Sequence, residues 1–141
     1  MVIVAAVDRS DRASNVIKEA ESLAQAYNDA IHVLHVLPRS EFVNMGVSQA
    51  RKDDPIDMKQ VRETAAKFAS EAATSLESPY EIVGLMGTPS NQIVEYASDQ
   101  DARYIVVAGR KRSPAGKAMF GSVAQSVLLN ARCPVVSTFV K

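Results

Sequence analysis

The chain is poor in the features that would tie it to a disulfide framework or a membrane. Its only cysteine, Cys133, cannot form an internal disulfide. No apolar run approaches the roughly 20 residues needed to cross a bilayer. The N-terminus, MVIVAAVDRSDR, has neither a basic n-region nor a small-residue cleavage site after an apolar stretch, so no signal peptide is expected. A cytoplasmic protein without a membrane partner is the expectation.

Acidic side chains are missing from the last part of the chain. Between Ala102 and Lys141 there is no Asp or Glu, while Arg103, Arg110, Lys111, Arg112, Lys117, Arg132 and Lys141 supply seven positive charges. The whole chain carries 16 basic and 16 acidic residues, so residues 1–101 hold 9 and 16, a balance of −7 against +7. Four of the seven cations fall within the eight residues 110–117. Such a cluster marks an anion-binding end, whereas charges spread over a solvated face would do nothing.

Several catalytic signatures are also absent. There is no GxxxxGK(S/T), so this is not a P-loop NTPase. No SGGxDS loop follows the first apolar run, and no GxSxG, HExxH or CxxC occurs. A response regulator would need an acidic pair closing the first strand; Asp8 stands there alone, with Asp11 further on.

What is present is a regular alternation. Five short runs rich in Val and Ile read as strands: 2–7, 31–37, 80–86, 104–109 and 134–140. Most are continuously apolar, as expected of parallel strands covered on both faces. Between them lie helical patterns. Ala13, Val16, Ile17, Ala20, Leu23, Ala24 and Tyr27 share one face, and Met58, Val61, Ala65, Phe68, Ala69, Ala72 and Leu76 another. A third helix opens on Thr88 as N-cap with Pro89 in its first turn. A fourth spans residues 118–131, with Met119, Val123, Val127 and Leu128 on one side, and Pro134 ends it. The order β-α-β-α-β-α-β-α-β predicts one α/β domain over residues 1–141, a parallel sheet with helices on both faces. Residues 38–56 are too long for an ordinary connection and read as an irregular, mobile flap.

In open α/β sheets ligands bind beyond the carboxyl ends of the strands. Those ends are Asp8, His35-Val36, Met86-Gly87 and Gly109. The last leads into RKRSPAGKAMFGSVAQ, with Gly116 and Gly121-Ser122 before a helix. Glycine permits positive φ and close approach of a phosphate, and a helix N-terminus adds free N–H groups and partial positive charge. Ser122 can donate to a phosphate or cap the helix.

The whole chain resembles the universal stress protein (UspA-like) family. The resemblance is carried by VIVAAVDRSDRA, by VLHV at the end of strand two, by GTPSNQIVEYASDQDARYIVVAGR, and above all by GSVAQSVLLNARCPVVSTFVK. It implies a flavodoxin-like, doubly wound five-stranded sheet of order 3-2-1-4-5, related to the adenine nucleotide alpha hydrolases. It also implies a homodimer through pairing of the last strands, residues 134–140, whose VVSTFV would be an edge in need of a partner. One branch of the family binds ATP through a loop written G-x-x-G-x9-G-(S/T). Gly109 matches the first glycine and Gly121-Ser122 the closing pair. The second glycine is missing: position 112 is Arg, and eight residues separate it from Gly121. Arg110, Lys111 and Arg112, with Lys117, can substitute side-chain charge for lost backbone contacts; Gly116 can supply flexibility. Asp8 matches the family aspartate at the nucleoside end, Ala6 and Val7 precede it, Val36 matches the residue whose backbone faces adenine, Ala108 precedes the loop and Val123 follows Ser122.

Taken singly, Asp8 can orient a ribose or base, or cap a helix beginning near Ser10 or Asp11. His35 and His32 read as structural, and Cys133 as a packed thiol. Tyr27, Tyr80, Tyr96 and Tyr104 read as packing residues, with no nucleic-acid platform. The expected function is an ATP-binding stress-response module, possible Mg included, with little or no turnover. The alternatives are a dimeric interaction protein that binds no nucleotide, which the missing glycine favours, and a slow ATPase with Asp8 as metal carboxylate.

Overall fold

Strands that lie between two helical layers must be apolar on both faces, and β1 (Val2–Ala6) and β2 (Ala30–Leu37) are nearly solid buried runs. In a computed structural model, which describes residues 1–44, 58–109 and 120–139, they are joined by β3 (Tyr80–Met86), β4 (Tyr104–Ala108) and β5 (Val135–Thr138). All pairings are parallel and the order is β3-β2-β1-β4-β5, as the resemblance implied. Among the described residues no helix is long and apolar enough to cross a membrane.

Period-2 alternation divides the strand residues between two cores. Ile3, Ala5, Ile31, Val33 and Val106 face α1 (Ala13–Tyr27) and the end of α3 (Met58–Ala72). Val4, Leu34, Val36, Ile105 and Val107 face α4 (Pro89–Asp99) and α5 (Ser122–Asn130). The helix after β1 therefore lies on one face and the helix after β4 on the other. Their chains diverge beyond neighbouring strand ends, which opens a crevice there.

Four sequence expectations are corrected. The flap reading fails at its start: Arg39–Asn44 forms a short helix, α2. Phe42, 0 % exposed, anchors it in a small cluster with Leu37, Val61 and Ala65. The remainder of that stretch lies outside the described residues. In α5 the buried positions are Ala124 and Val127, while Val123 and Leu128 are exposed. The helix meets the sheet along Ala124 and Val127, which leaves Val123 and Leu128 on either side exposed; Met119 is not among the described residues. Finally, α3 stops at Ala72, and Tyr27 is exposed at the end of α1, stacked under the Arg103 guanidinium 4.4 Å from its ring centre.

Helix α3 approaches β3 unusually closely. A Cβ at Gly84 would stand 2.2 Å from the Arg62 carbonyl oxygen and 2.4 Å from the Ala66 nitrogen. Both are helix backbone and cannot move independently. Gly84→Ala is therefore expected to lower stability by about 3 kcal/mol, the upper range for overpacking. Urea denaturation checks this; an unchanged midpoint would mean that α3 can be displaced at no cost.

Candidate functional site

The crevice at the ends of β1 and β4 encloses a cleft of about 220 Å³. Its apolar wall comes from Leu34, Val36, Ile93, Val107 and Ala124, and its rim from Asp8, Arg9, Pro38 and Glu41. Ala6, Val7, Asp8, Val36, Ala108 and Val123, six of the positions singled out in the sequence, all line it.

The end of β1 is held by its neighbour. The Val7 N–H donates to the Leu34 carbonyl at 2.9 Å, and the Val7 carbonyl accepts from His35 Nδ1 at 2.8 Å. His35 is buried and rests edge-on against Phe68, ring centres 5.5 Å apart. Since a carbonyl only accepts, Nδ1 carries a proton and donates it. The histidine is structural, as expected. So is His32, which at the opposite end of β2 meets the Tyr96 hydroxyl at 2.7 Å and the Glu81 carboxylate at 3.4 Å.

Asp8 follows directly and projects at the cleft mouth. Its Oδ1 accepts from the Ser10 N–H at 2.9 Å and from the Ser10 hydroxyl. Arg12 lies 3.6 Å from its other oxygen. The helix-cap reading is corrected by this geometry: α1 begins at Ala13 with Arg12 as its N-cap residue and no side-chain cap. Asp8 closes the preceding turn instead, an Asx-type contact two residues on. Partial burial pushes the Asp8 carboxyl up, but the two Ser10 hydrogen bonds and the Arg12 guanidinium outweigh it and hold the group below its ordinary value.

Across the cleft, Gly121 is the N-cap of α5, with extended φ of −71° and no side-chain cap. The first N–H groups of α5 begin at Ser122, an exposed residue, beside the lining residues Val123 and Ala124. Pro89 brings the first turn of α4 to the same cleft. Gly109 lies at the end of β4, its N–H bonded to the Thr138 carbonyl at 2.6 Å. Its glycine is explained by crowding, since a Cβ would fall 2.8 Å from that carbonyl oxygen and 2.6 Å from the Phe139 ring. Arg110, Lys111, Arg112, Gly116 and Lys117 lie outside the described residues.

Arg9, Pro38, Glu41, Pro89 and Ile93 were missed in the sequence. Arg9 sits 4.1 Å above the Phe68 ring and 3.9 Å from Glu41, a contact that depends on α2. The available signal was adjacency to strand ends: Arg9 follows Asp8, and Pro38 follows β2. Cys133 is half-buried, and that burial pushes its thiol up, which suits a packed thiol.

The sequence model of the universal stress protein family matches residues 1–138. A solved universal stress protein from Archaeoglobus fulgidus is 34 % identical, with 96 % of each chain covered and a TM-score of 0.59. Another from the same organism, solved in complex with dAMP, is 28 % identical over 96 % of this chain and 94 % of its own, with a TM-score of 0.55. A universal stress protein of Methanocaldococcus jannaschii is 28 % identical over 95 % of this chain and 79 % of its own length.

The Asp8 contacts give a pH prediction. The folded value is lowered, so the contribution of Asp8 to stability is complete above the ordinary carboxylate range and is lost as pH falls through the folded value. Carboxyl-detected NMR titration is expected to place Asp8 below 3.8, and both Ser10→Ala and Arg12→Met should move it upward. An Asp8 that titrates normally in all three proteins would contradict the contacts described.

Proposed function

The chain belongs to the universal stress protein family, and on that premise we propose that it is a cytoplasmic nucleotide-binding module that takes ATP with little or no turnover. The observation that carries this reading is the meeting, in one cleft, of an apolar wall, a carboxylate on the rim and the N-terminus of α5. The base lies against Leu34, Val36 and Ile93, with the Val36 backbone facing it. Ala6, Val7 and Asp8 border the ribose. The phosphates run past Ala108 and Gly109 toward Gly121, Ser122 and Val123, where unpaired helix N–H groups attract an anion. The sequence adds Arg110, Lys111 and Arg112 to that end. The relative solved with dAMP supports an adenine nucleotide as the ligand class.

Low turnover follows from Asp8. Its carboxylate is already engaged by Ser10 and Arg12, which disfavours it as a metal carboxylate for hydrolysis. Magnesium then enters with the ATP phosphates as their counter-ion. We also infer a homodimer through residues 134–140. β5 is the end strand of the sheet, and such an edge favours a partner. Leu129 on the preceding helix is 77 % exposed.

Protein purified and then denatured should release adenine nucleotide. Apoprotein should bind ATP in calorimetric titration, with and without magnesium, and Gly121→Val should abolish the binding by placing a branched side chain at the N-cap of α5. No released nucleotide and no binding at millimolar ATP would leave the alternative, an interaction protein that works through its dimer contacts. In sedimentation velocity the chain should run at twice its 15.2 kDa mass; a monomer at high concentration would exclude the β5 dimer.

A further inference from the structure

Phe139 immediately follows β5, on the far side of β4 from the β1 residues of the cleft. Two contacts nevertheless tie it to the proposed phosphate end. Its ring lies so close to Gly109 that a single methyl group there would stand 2.6 Å from Cε1 and 2.9 Å from Cδ1. The same ring meets Phe120 edge-on, with centres 5.4 Å apart and planes at 70°, a favoured aromatic geometry. Phe120 directly precedes Gly121, the N-cap of α5. One side chain from the last strand thus touches both the residue that ends β4 and the residue that leads into α5.

We propose that Phe139 is a positioning residue for phosphate recognition, setting the amino end of α5 against the end of β4. The inference rests on the nucleotide reading above and deepens it. A helix N-terminus and a strand end recognise a phosphate only if their N–H groups converge on one point, and small displacements of such donors weaken the contact steeply. Gly109 and Gly121 are 12 residues apart in the chain (121 − 109), so chain connectivity alone sets no fixed distance between them. Ala124 and Val127 pack the body of α5 on the sheet, and the Phe139 ring adds a link at its amino end, through Gly109 on one side and Phe120 on the other. The glycine at position 109 is part of the device: it is the one residue type that lets the ring lie flush on the strand end. Neither Phe120 nor Phe139 is among the residues that line the cleft, so replacing either ring leaves the side chains of the apolar wall in place.

That separation defines the test. ATP and adenosine are titrated calorimetrically into the full chain and into Phe139→Leu, Phe120→Leu, the double variant and Phe139→Tyr. Leucine keeps apolar bulk and removes the edge-to-face contact. The proposal expects ATP affinity to fall roughly 3- to 10-fold in either leucine variant, the size of one aromatic pair, with adenosine affinity unchanged within about twofold. The double variant should be no weaker than the single ones, because both remove the same contact, and tyrosine should restore ATP binding. An unchanged ATP-to-adenosine ratio would overturn the proposal while leaving the nucleotide reading intact. Equal losses for both ligands would overturn it too, since the ring would then serve only the core. A wild-type chain that binds neither ligand would overturn the nucleotide reading and this inference with it. Phe120 is 39 % exposed, so its leucine variant supplies the answer even if the Phe139 variant fails to fold.

Discussion

The bond from His35 Nδ1 to the Val7 carbonyl fixes the geometry on which the cleft depends. A parallel strand that stops at its carboxyl end leaves a carbonyl with no ladder partner, and burying that group unpaired would be costly. Here the next strand supplies a side chain in place of backbone. The strand therefore ends in a defined direction, the Val7 N–H remains on Leu34, and the chain turns at Asp8 into the Ser10 contacts. The imidazole rests on Phe68 of α3, while Leu34 and Val36, the strand neighbours of His35, join the aliphatic wall of the cleft. A polar need at the strand end is met by a buried side chain that lies against α3.

The topology opens a crevice at this strand end. β1 is central, paired with β2 and β4 in the same direction, and the helices that follow β1 and β4 pack on opposite faces. The opposite end of the sheet is closed by polar pairs. Arg103 Nε holds Asp29 at 2.6 Å, and that bond keeps the Asp29 carboxyl below its ordinary value. The Tyr27 and Tyr104 hydroxyls meet at 3.1 Å. One end of a single sheet is tied shut and the other left open, which separates the groups that hold the fold from those available to a ligand.

Much of this was legible in the sequence because it rests on local pattern. Continuous Val and Ile runs mark doubly covered strands, three- and four-residue spacing marks α1 and α3, and Thr88 with Pro89 marks the start of α4. The ends of those strands then give Asp8, Val36 and Gly109. What escaped has a common character. Helix α2 is six residues long, too short for a helical period to declare itself, and Phe42 anchors it on Val61 and Ala65, which are distant in sequence. The Arg9 contacts with Phe68 and Glu41 depend on α2 and α3 packing together. The reason for Gly109 was misjudged for the same cause. Positive φ is a property of one residue, whereas the crowding by Thr138 and Phe139 comes from a strand about thirty residues later, which follows from parallel β4–β5 pairing.

The charge pattern takes a sharper meaning once the cleft is laid out. A polyphosphate and two rim carboxylates would repel one another in a partly desolvated site. Asp8 and Glu41 are each accompanied by a cation, Arg12 at 3.6 Å and Arg9 at 3.9 Å. These exposed pairs add little to stability. Their effect is on the local field: each acidic group is offset where it stands, so the rim does not oppose an anion. The partial positive charge at the start of α5 then acts without a competing field from the β1 side, and residues 102–141 bring no acidic side chain to oppose it. The two halves of the sequence, −7 and +7, divide the work. The acidic part supplies the first three strands and a rim whose carboxylates are offset by cations; under the proposed function, the basic part supplies the excess charge that a phosphate requires.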